Sequence, residues 1–254
     1  MKKTLLNLAI MGALVAASNV ALADSANSNC KNLPNQSALR SALQAAQSDS
    51  STEHTLNGGF GLNMWATVVD RDGIVCAVAF TGANRGSQWP GSRVISAQKA
   101  NTANAFSLDG LALSTANLYS AVQPGGPLFG LQESNPVDTS AAYKGPSKNY
   151  GQANDPLVGS KIGGVNVFGG GLALYDENKK VIGAIGVSGD SSCADHNIAW
   201  RTRNTLLLDY VPSVVPVSGD ATHPDNIVYL VSGWGHPACN VSVASIAAAL
   251  PVTR

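Results

Sequence analysis

The chain has 254 residues, 16 basic and 16 acidic side chains, and only 13% charged residues in all. With no basic run longer than Lys179-Lys180, positive charge is nowhere concentrated, which excludes nucleic acid and anionic membrane surfaces as partners. Twenty-six glycines and 44% hydrophobic residues point to a compact, tightly packed body rather than a disordered chain.

The first 23 residues predict a leader peptide. Lys2 and Lys3 form a basic start, Leu5 to Ala17 is apolar and uncharged, and Ala21-Leu22-Ala23 supplies a small-x-small cleavage pattern. The apolar run is shorter than the roughly 20 residues a bilayer span needs, and no cysteine follows the cut to take a lipid anchor. The expected product is a periplasmic or secreted protein beginning at Asp24. Cys30, Cys76, Cys193 and Cys239 would then form disulfides. Three pairings are open, of which Cys30–Cys76 with Cys193–Cys239 is favoured, partly because Cys193 and Cys239 sit in similar loop contexts. No CxxC spacing suggests structural zinc.

After a polar arm, Leu39, Leu43 and Ala46 fall at helical spacing, with Ser37 as a candidate cap. Met64 to Val69 and Ile74 to Phe80 are β-rich runs around Asp70-Arg71-Asp72-Gly73, a hairpin signal. Ser92 to Phe106 reads as a helix of small residues. Leu108 to Lys161 holds short helices near Thr115 to Val122 and then a long Gly-, Pro-, Asn- and Ser-rich loop. Loops of that length in a compact domain are usually functional or face a partner. Leu172 to Tyr175 and Val181 to Val187 predict a second hairpin that echoes the first. A helix over Cys193 to Asp209 follows, then a tail with Ile227 to Ser232 as an extra strand. Helix-flanked hairpins predict an α+β domain with an antiparallel sheet.

The stretch "NVFGGGLALYDENKKVIGAIGVSGD" invites a phosphate-loop reading and fails it. No Lys-Ser/Thr follows its glycines, and they lie in a hairpin rather than between a strand and a helix. Gly186-Val187-Ser188-Gly189 falls one residue short of a Gly-x-Ser-x-Gly nucleophile turn. Ser188 with His196 and Asp190 or Asp195 would be needed for hydrolysis, against the plainer reading of Ser188 as a turn residue or cap. Glycine inside a strand otherwise marks close approach by backbone or ligand. Gly183 and Gly186, three apart, face opposite sides of the sheet. One side suits the small helix carrying Ala97, Ala100 and Ala103; the other suits a flat ligand or a second subunit.

Taken together, "WATVVDRDGIV", "SAQKANTANAF", "FGGGLALYD" and "VIGAIGVSGD" resemble, in order and spacing, the GlcG/HbpS family of haem-binding proteins, and also the C-terminal domain of PduO-type proteins. The resemblance runs from about Leu39 to Arg203 with an insertion over 108–161, so that 24–210 forms the domain and 211–254 an extension packed on it. "CADHNIAWRTRN" and "GWGHPAC" look like a secreted branch. The resemblance implies a profilin-like α/β/α fold with about five antiparallel strands, homo-oligomers, and haem or a related tetrapyrrole as ligand. Haem breakdown or sensing is implied for some members.

Haem iron takes His, Met, Tyr or Cys. The candidates are His54, His196, His223, His236, Met64 and six tyrosines. A Cys193–Cys239 bridge would bring His196 and His236 into one neighbourhood as metal or haem ligands, with His54 a weaker choice. Lys99 matches the lysine of the family's helix motif and would meet a propionate, or equally a structural carboxylate such as Asp70. Arg85 and Arg93 would complete an anion-binding wall. Phe168, Gly170 and Gly186 join Lys99 and Arg93 as the ligand-binding set, and Trp65, Trp89, Phe106 and Phe168 are candidate walls of a flat apolar pocket. The rival readings are an enzyme using Ser188 and His196, or Lys99, for acid–base or hydrolytic chemistry, and a non-catalytic oligomeric module.

Overall fold

The computed structural model describes residues 28–48, 56–230 and 232–254; the expected leader and His54 lie outside the described residues. Both predicted hairpins form. β1 (Trp65–Asp70) and β2 (Val75–Phe80) are joined by a turn in which the Asp70 Oδ1 atom accepts the N–H groups of Asp72 and Ile74, each at 2.9 Å. β3 (Gly171–Tyr175) and β4 (Val181–Ser188) make the second hairpin. The sheet order is β2-β1-β4-β3 and every pairing is antiparallel. β1 and β4 pair from Trp65 opposite Ser188 to Asp70 opposite Gly183, so the first strand of one hairpin lies against the second strand of the other.

The sheet has four strands among the described residues, one fewer than the family resemblance implied. The expected strand at Ile227 does not form: residues 226–230 run irregularly, and His236 N–H reaches back to Val228 O at 2.8 Å.

The alternation of strand side chains makes two apolar faces. Ala66, Val68, Ile185 and Val187 point to one side, where α1 (Gln36–Ser48) and α4 (Ser192–Thr205) cover them with Leu39, Leu43, Ile198 and Trp200. Trp65, Val69, Val78 and Ala184 point to the other, under α2 (Ser92–Phe106) and its Ala97, Ala100 and Ala103. Thr67, on that face, is satisfied by a 2.8 Å hydrogen bond with Ser96 Oγ. The result is a three-layer α/β/α body.

Small residues set how closely α2 approaches. A Cβ on Gly186 would sit 1.9 Å from Ser96 O and 2.5 Å from Ala100 N, so the bare position is filled by the helix backbone itself. Gly183, on the opposite face as its spacing required, is covered by Leu33. Neither glycine opens onto a ligand.

Helix ends follow local chemistry. Asn35, not Ser37, caps α1, its Oδ1 accepting the Ala38 N–H at 2.9 Å. Ser191 accepts the Ala194 N–H at 3.3 Å to start α4, and α4 stops at Thr205, before Asp209, where Leu207 turns to φ +57°. The segment between α2 and β3 has three 3-10 turns and a short helix, α3 (Thr139–Ala142). The tail adds α5 (Val243–Ala248) and lies along α4, with Trp200 Nε1 donating to Pro251 O at 2.8 Å. Both favoured disulfides are present, with Cα–Cα distances of 5.6 Å for Cys30–Cys76 and 6.1 Å for Cys193–Cys239. The first ties the arm before α1 to β2; the second ties the tail to the start of α4.

Candidate functional site

One wall of an open slot is the β1–α2 face, and the opposite wall is the segment between α2 and β3. Arg93, buried in the first turns of α2, reaches across to that segment. Its Nε donates to Asp155 Oδ2 at 2.9 Å, its Nη2 to Asp155 Oδ1, and its Nη1 to Ala142 O at 2.9 Å. Asp155 also accepts the N–H of Gly151 at 2.6 Å and of Leu157 at 2.8 Å, which fixes the turn carrying Tyr150. The guanidinium then lies 3.6 Å from the centre of the Tyr150 ring. A buried ion pair of this kind holds best when further hydrogen bonds accompany it, and here each guanidinium nitrogen has a partner.

The slot so formed has a volume of about 530 Å³ and is lined by Trp65, Arg85, Pro90, Tyr143, Ser147 and Tyr150, among others. That volume is in the range of small-molecule sites. Trp65 is almost fully buried, and its indole N–H finds no acceptor among the described residues. Tyr150 is anchored through its hydroxyl to Tyr143 O at 3.0 Å. Tyr143 is 61% exposed. Arg85 is exposed on the rim, and no carboxylate lines the slot. Aromatic walls with one unopposed cation suit a flat apolar ligand that carries negative charge.

Lys99 lies outside the slot, beside the last residues of β4. Its Nζ donates to Asp195 Oδ2 at 2.7 Å and to Val187 O at 3.0 Å, with both side chains buried. Burial pushes the Asp195 carboxyl up to about 6, with Lys99 pulling it back, and burial likewise lowers the Lys99 ammonium. Gly170 belongs to this cluster: at φ +116°, a Cβ there would press to 2.3 Å from Val187 O and 3.3 Å from Lys99 Nζ. The lysine therefore takes a structural carboxylate, Asp195 rather than Asp70. Phe168 is half-exposed beside it, its carbonyl accepting Thr115 Oγ1 at 2.6 Å, and Phe106 packs near Leu113 and Leu118; neither lines the slot. Trp89 is exposed next to the slot's Pro90.

The histidines are internal. His196 on α4 is fully buried, its Nε2 3.1 Å from both Asn226 Oδ1 and Ile227 N, and burial holds its imidazole down at about 4. His236 donates from Nδ1 to Pro237 O at 2.7 Å, which leaves Nε2 to accept the Ser192 hydroxyl at 2.7 Å. Ser192 Oγ in turn accepts the Gly169 N–H at 2.7 Å. Burial lowers the His236 imidazole too. The serine that meets a histidine is thus Ser192, and it bridges loop, helix and tail; Ser188 is buried at the end of β4. His223 stacks on Trp200 and bonds Leu250 O through Nε2 at 2.9 Å.

The family model for HbpS-like proteins, described as haem degrading protein HbpS-like, matches residues 35–203. The chain belongs to the HbpS-like family. Membership brings haem binding at the level of the family. No curated protein matches the chain. Solved structures similar to it include Klebsiella pneumoniae protein ORFY, 25% identical, covering 68% of this chain and 90% of that one with a TM-score of 0.44. A PduOC:heme complex is 21% identical over 66% of this chain and 89% of its own, TM-score 0.44. A double mutant of Streptomyces reticuli HbpS is 17% identical over 80% and 97%, TM-score 0.40.

Within this HbpS-like chain, the fit of an iron tetrapyrrole rests on which donors are reachable. All four cysteines are in disulfides, Met64 is fully buried in the core, and the three histidines among the described residues are buried. Among the described residues, the three-member group of metal-ligand type is Cys30, Asp70 and Cys76, and its cysteines are bonded to each other. Among the described residues, the slot combines aromatic walls with a cation, Arg85, and no lining carboxylate, a lining that suits such a group. Sequence reading singled out Trp65, Arg85 and Arg93 and missed Tyr143, Tyr150 and Asp155. The signal was there in "AAYKGPSKNYG", two tyrosines in an otherwise polar loop.

Proposed function

We propose that the protein is an exported haem- or tetrapyrrole-binding protein whose ligand lies in the slot between Trp65 and the Tyr143–Tyr150 segment. The observation that carries this reading is the pairing of aromatic walls with Arg85 and no lining carboxylate. Tyr143, Tyr150 and Pro90 supply apolar contact to the macrocycle, with the buried Trp65 behind them, and Arg85 meets a propionate. The bound iron would supply redox chemistry; the chain's own residues hold and orient the ring. Arg93 acts from behind, keeping Tyr150 in place through Asp155. Lys99, Gly170 and Gly186 support the fold that presents the slot.

Two disulfides suit an oxidising compartment and so support export. No helix among the described residues is long and apolar enough to cross a membrane. Exposed Phe129, Phe168, Leu230 and Trp234 support self-association, which light scattering would read directly.

Titration of the purified protein with haemin tests the reading. The expected result is a shifted Soret band at low micromolar protein, with binding several-fold weaker in Arg85→Glu, as loss of a rim charge pair implies. A spectrum that stays that of free haemin overturns it. Ascorbate added to the complex separates degradation, which bleaches the band, from simple carriage or sensing, which leaves it reduced but intact.

A further inference from the structure

We propose that Tyr143 supplies the oxygen that ligates iron when a ferric tetrapyrrole occupies the slot, an inference that rests on the reading of the slot given above. It is reached by taking every iron-ligating side chain of the described chain in turn. The cysteines are spent in Cys30–Cys76 and Cys193–Cys239. Met64 lies in the core under α1 and α4 with no exposed surface. His196, His223 and His236 are all buried, and each has a ring nitrogen already bonded within the protein.

The tyrosines sort as cleanly. Tyr175 is buried with its hydroxyl donating to Leu108 O at 2.9 Å. The hydroxyl of Tyr229 is buried, and Tyr119, whose ring packs on His236 at 4.7 Å, does not line the slot. Tyr150 lines the slot but commits its hydroxyl to the carbonyls of Tyr143 and Lys144. Tyr210 lines a different depression, of about 370 Å³, which bears Asp176 and Glu177 and would repel propionates. Tyr143 remains: it lines the slot with Arg85, is 61% exposed, and its hydroxyl has no hydrogen-bond partner among the described residues. Ligation forms one O–Fe bond and releases the phenol proton to water. The resulting phenolate offsets the net positive charge of the ferric ring.

The slot also provides what a phenolate ligand needs around it. Tyr143 follows α3 directly, and Ala142 O is held by Arg93, so its backbone is fixed while its ring stands free. The carbonyl of Tyr143 accepts the Tyr150 hydroxyl, which ties the ligand-bearing residue to the rest of its own wall.

Haemin and metal-free protoporphyrin IX are the two probes, applied to the full chain, to Tyr143→Phe and to His54→Ala. The wild type should give a high-spin ferric spectrum with phenolate–iron vibrations by resonance Raman. Tyr143→Phe should lose those vibrations and bind haemin about tenfold or more weakly, while protoporphyrin IX binding stays within about twofold. His54→Ala should leave the spectrum unchanged. Retention of the wild-type spectrum in Tyr143→Phe, or its loss in His54→Ala, overturns the assignment while leaving the slot intact. Failure of both probes to bind the wild type overturns the slot reading itself.

Discussion

Lys99 on α2 and Asp195 on α4 join the two helical layers across the end of the sheet, Nζ to Oδ2 at 2.7 Å and Nζ to Val187 O at 3.0 Å. The remaining oxygen of Asp195 accepts the N–H groups of Gly189 and Asp190 at 3.1 and 2.9 Å, so every strong acceptor on the carboxylate is used. Arg93–Asp155 and Arg203–Asp225 are also buried pairs, but in each a helix cation pins a carboxylate on an irregular segment. Such pairs add little net stability over apolar packing, but each is costly to break.

Lys99→Met strands the Asp195 carboxyl, and Asp195→Asn strands the ammonium; each should cost about 3–5 kcal/mol in urea unfolding. The double variant should cost less than the sum of the two by at least about 1 kcal/mol, because the uncompensated charge is gone. Strict additivity would show that the two groups do not interact.

Acid should destabilise the protein through His196. Its imidazole sits at about 4 in the folded state. The unfolded chain titrates near 6.5, so it binds the extra proton first. The stability this provides is complete above about 6.5 and is lost as pH falls toward 4, a loss on the order of 3 kcal/mol. Asp195, raised to about 6, works the other way, regaining stability as pH drops from 6 toward its ordinary value. Comparing wild type with His196→Gln isolates the histidine: the melting temperature of the variant should fall less over that window.

Gly186→Ala should destabilise by about 3 kcal/mol or more, since the added methyl meets backbone that cannot turn aside. Gly91, on the slot, has nothing within 4 Å of an added Cβ, so Gly91→Ala should unfold like the wild type. Equal midpoints for the two variants would refute the close packing of α2.

Each disulfide closes a loop with a sequence separation of 46 residues. Loop entropy then puts the cost of removing either at about 4 kcal/mol. Paired serine substitutions at Cys193 and Cys239 should also free the tail, and limited proteolysis after Ser218 should report it. Unchanged protection there would mean that the non-covalent ties, Arg203–Asp225 and Trp200–Pro251 O among them, hold the tail without the disulfide.

Much of the body was legible because its signals are local. Alternating apolar residues around Asp70-Arg71-Asp72-Gly73 and around Asp176 to Lys180 specify hairpins within a dozen residues, and the run of alanines in α2 announces close packing. The tail strand near Ile227 was misread because β-branched residues in a row favour a strand only where a partner edge is at hand, and there the backbone instead serves His196 and His236. Asn35 displaced Ser37 as the cap of α1 because one position decides which side chain reaches the free N–H groups.

The sequence alone determined the family, the two hairpins, the helices between them and the disulfide pairing favoured from cysteine context. Only the tertiary structure decided which residues share a site. Lys99, expected at a ligand, turned inward because Asp195 met it at the sheet's end. Tyr143 and Tyr150, unremarkable in a polar loop, became a binding wall because Arg93 drew Asp155 and its loop across α2. Periodicity is written along the chain; the partner that satisfies a buried charge is found only once the chain has folded back on itself.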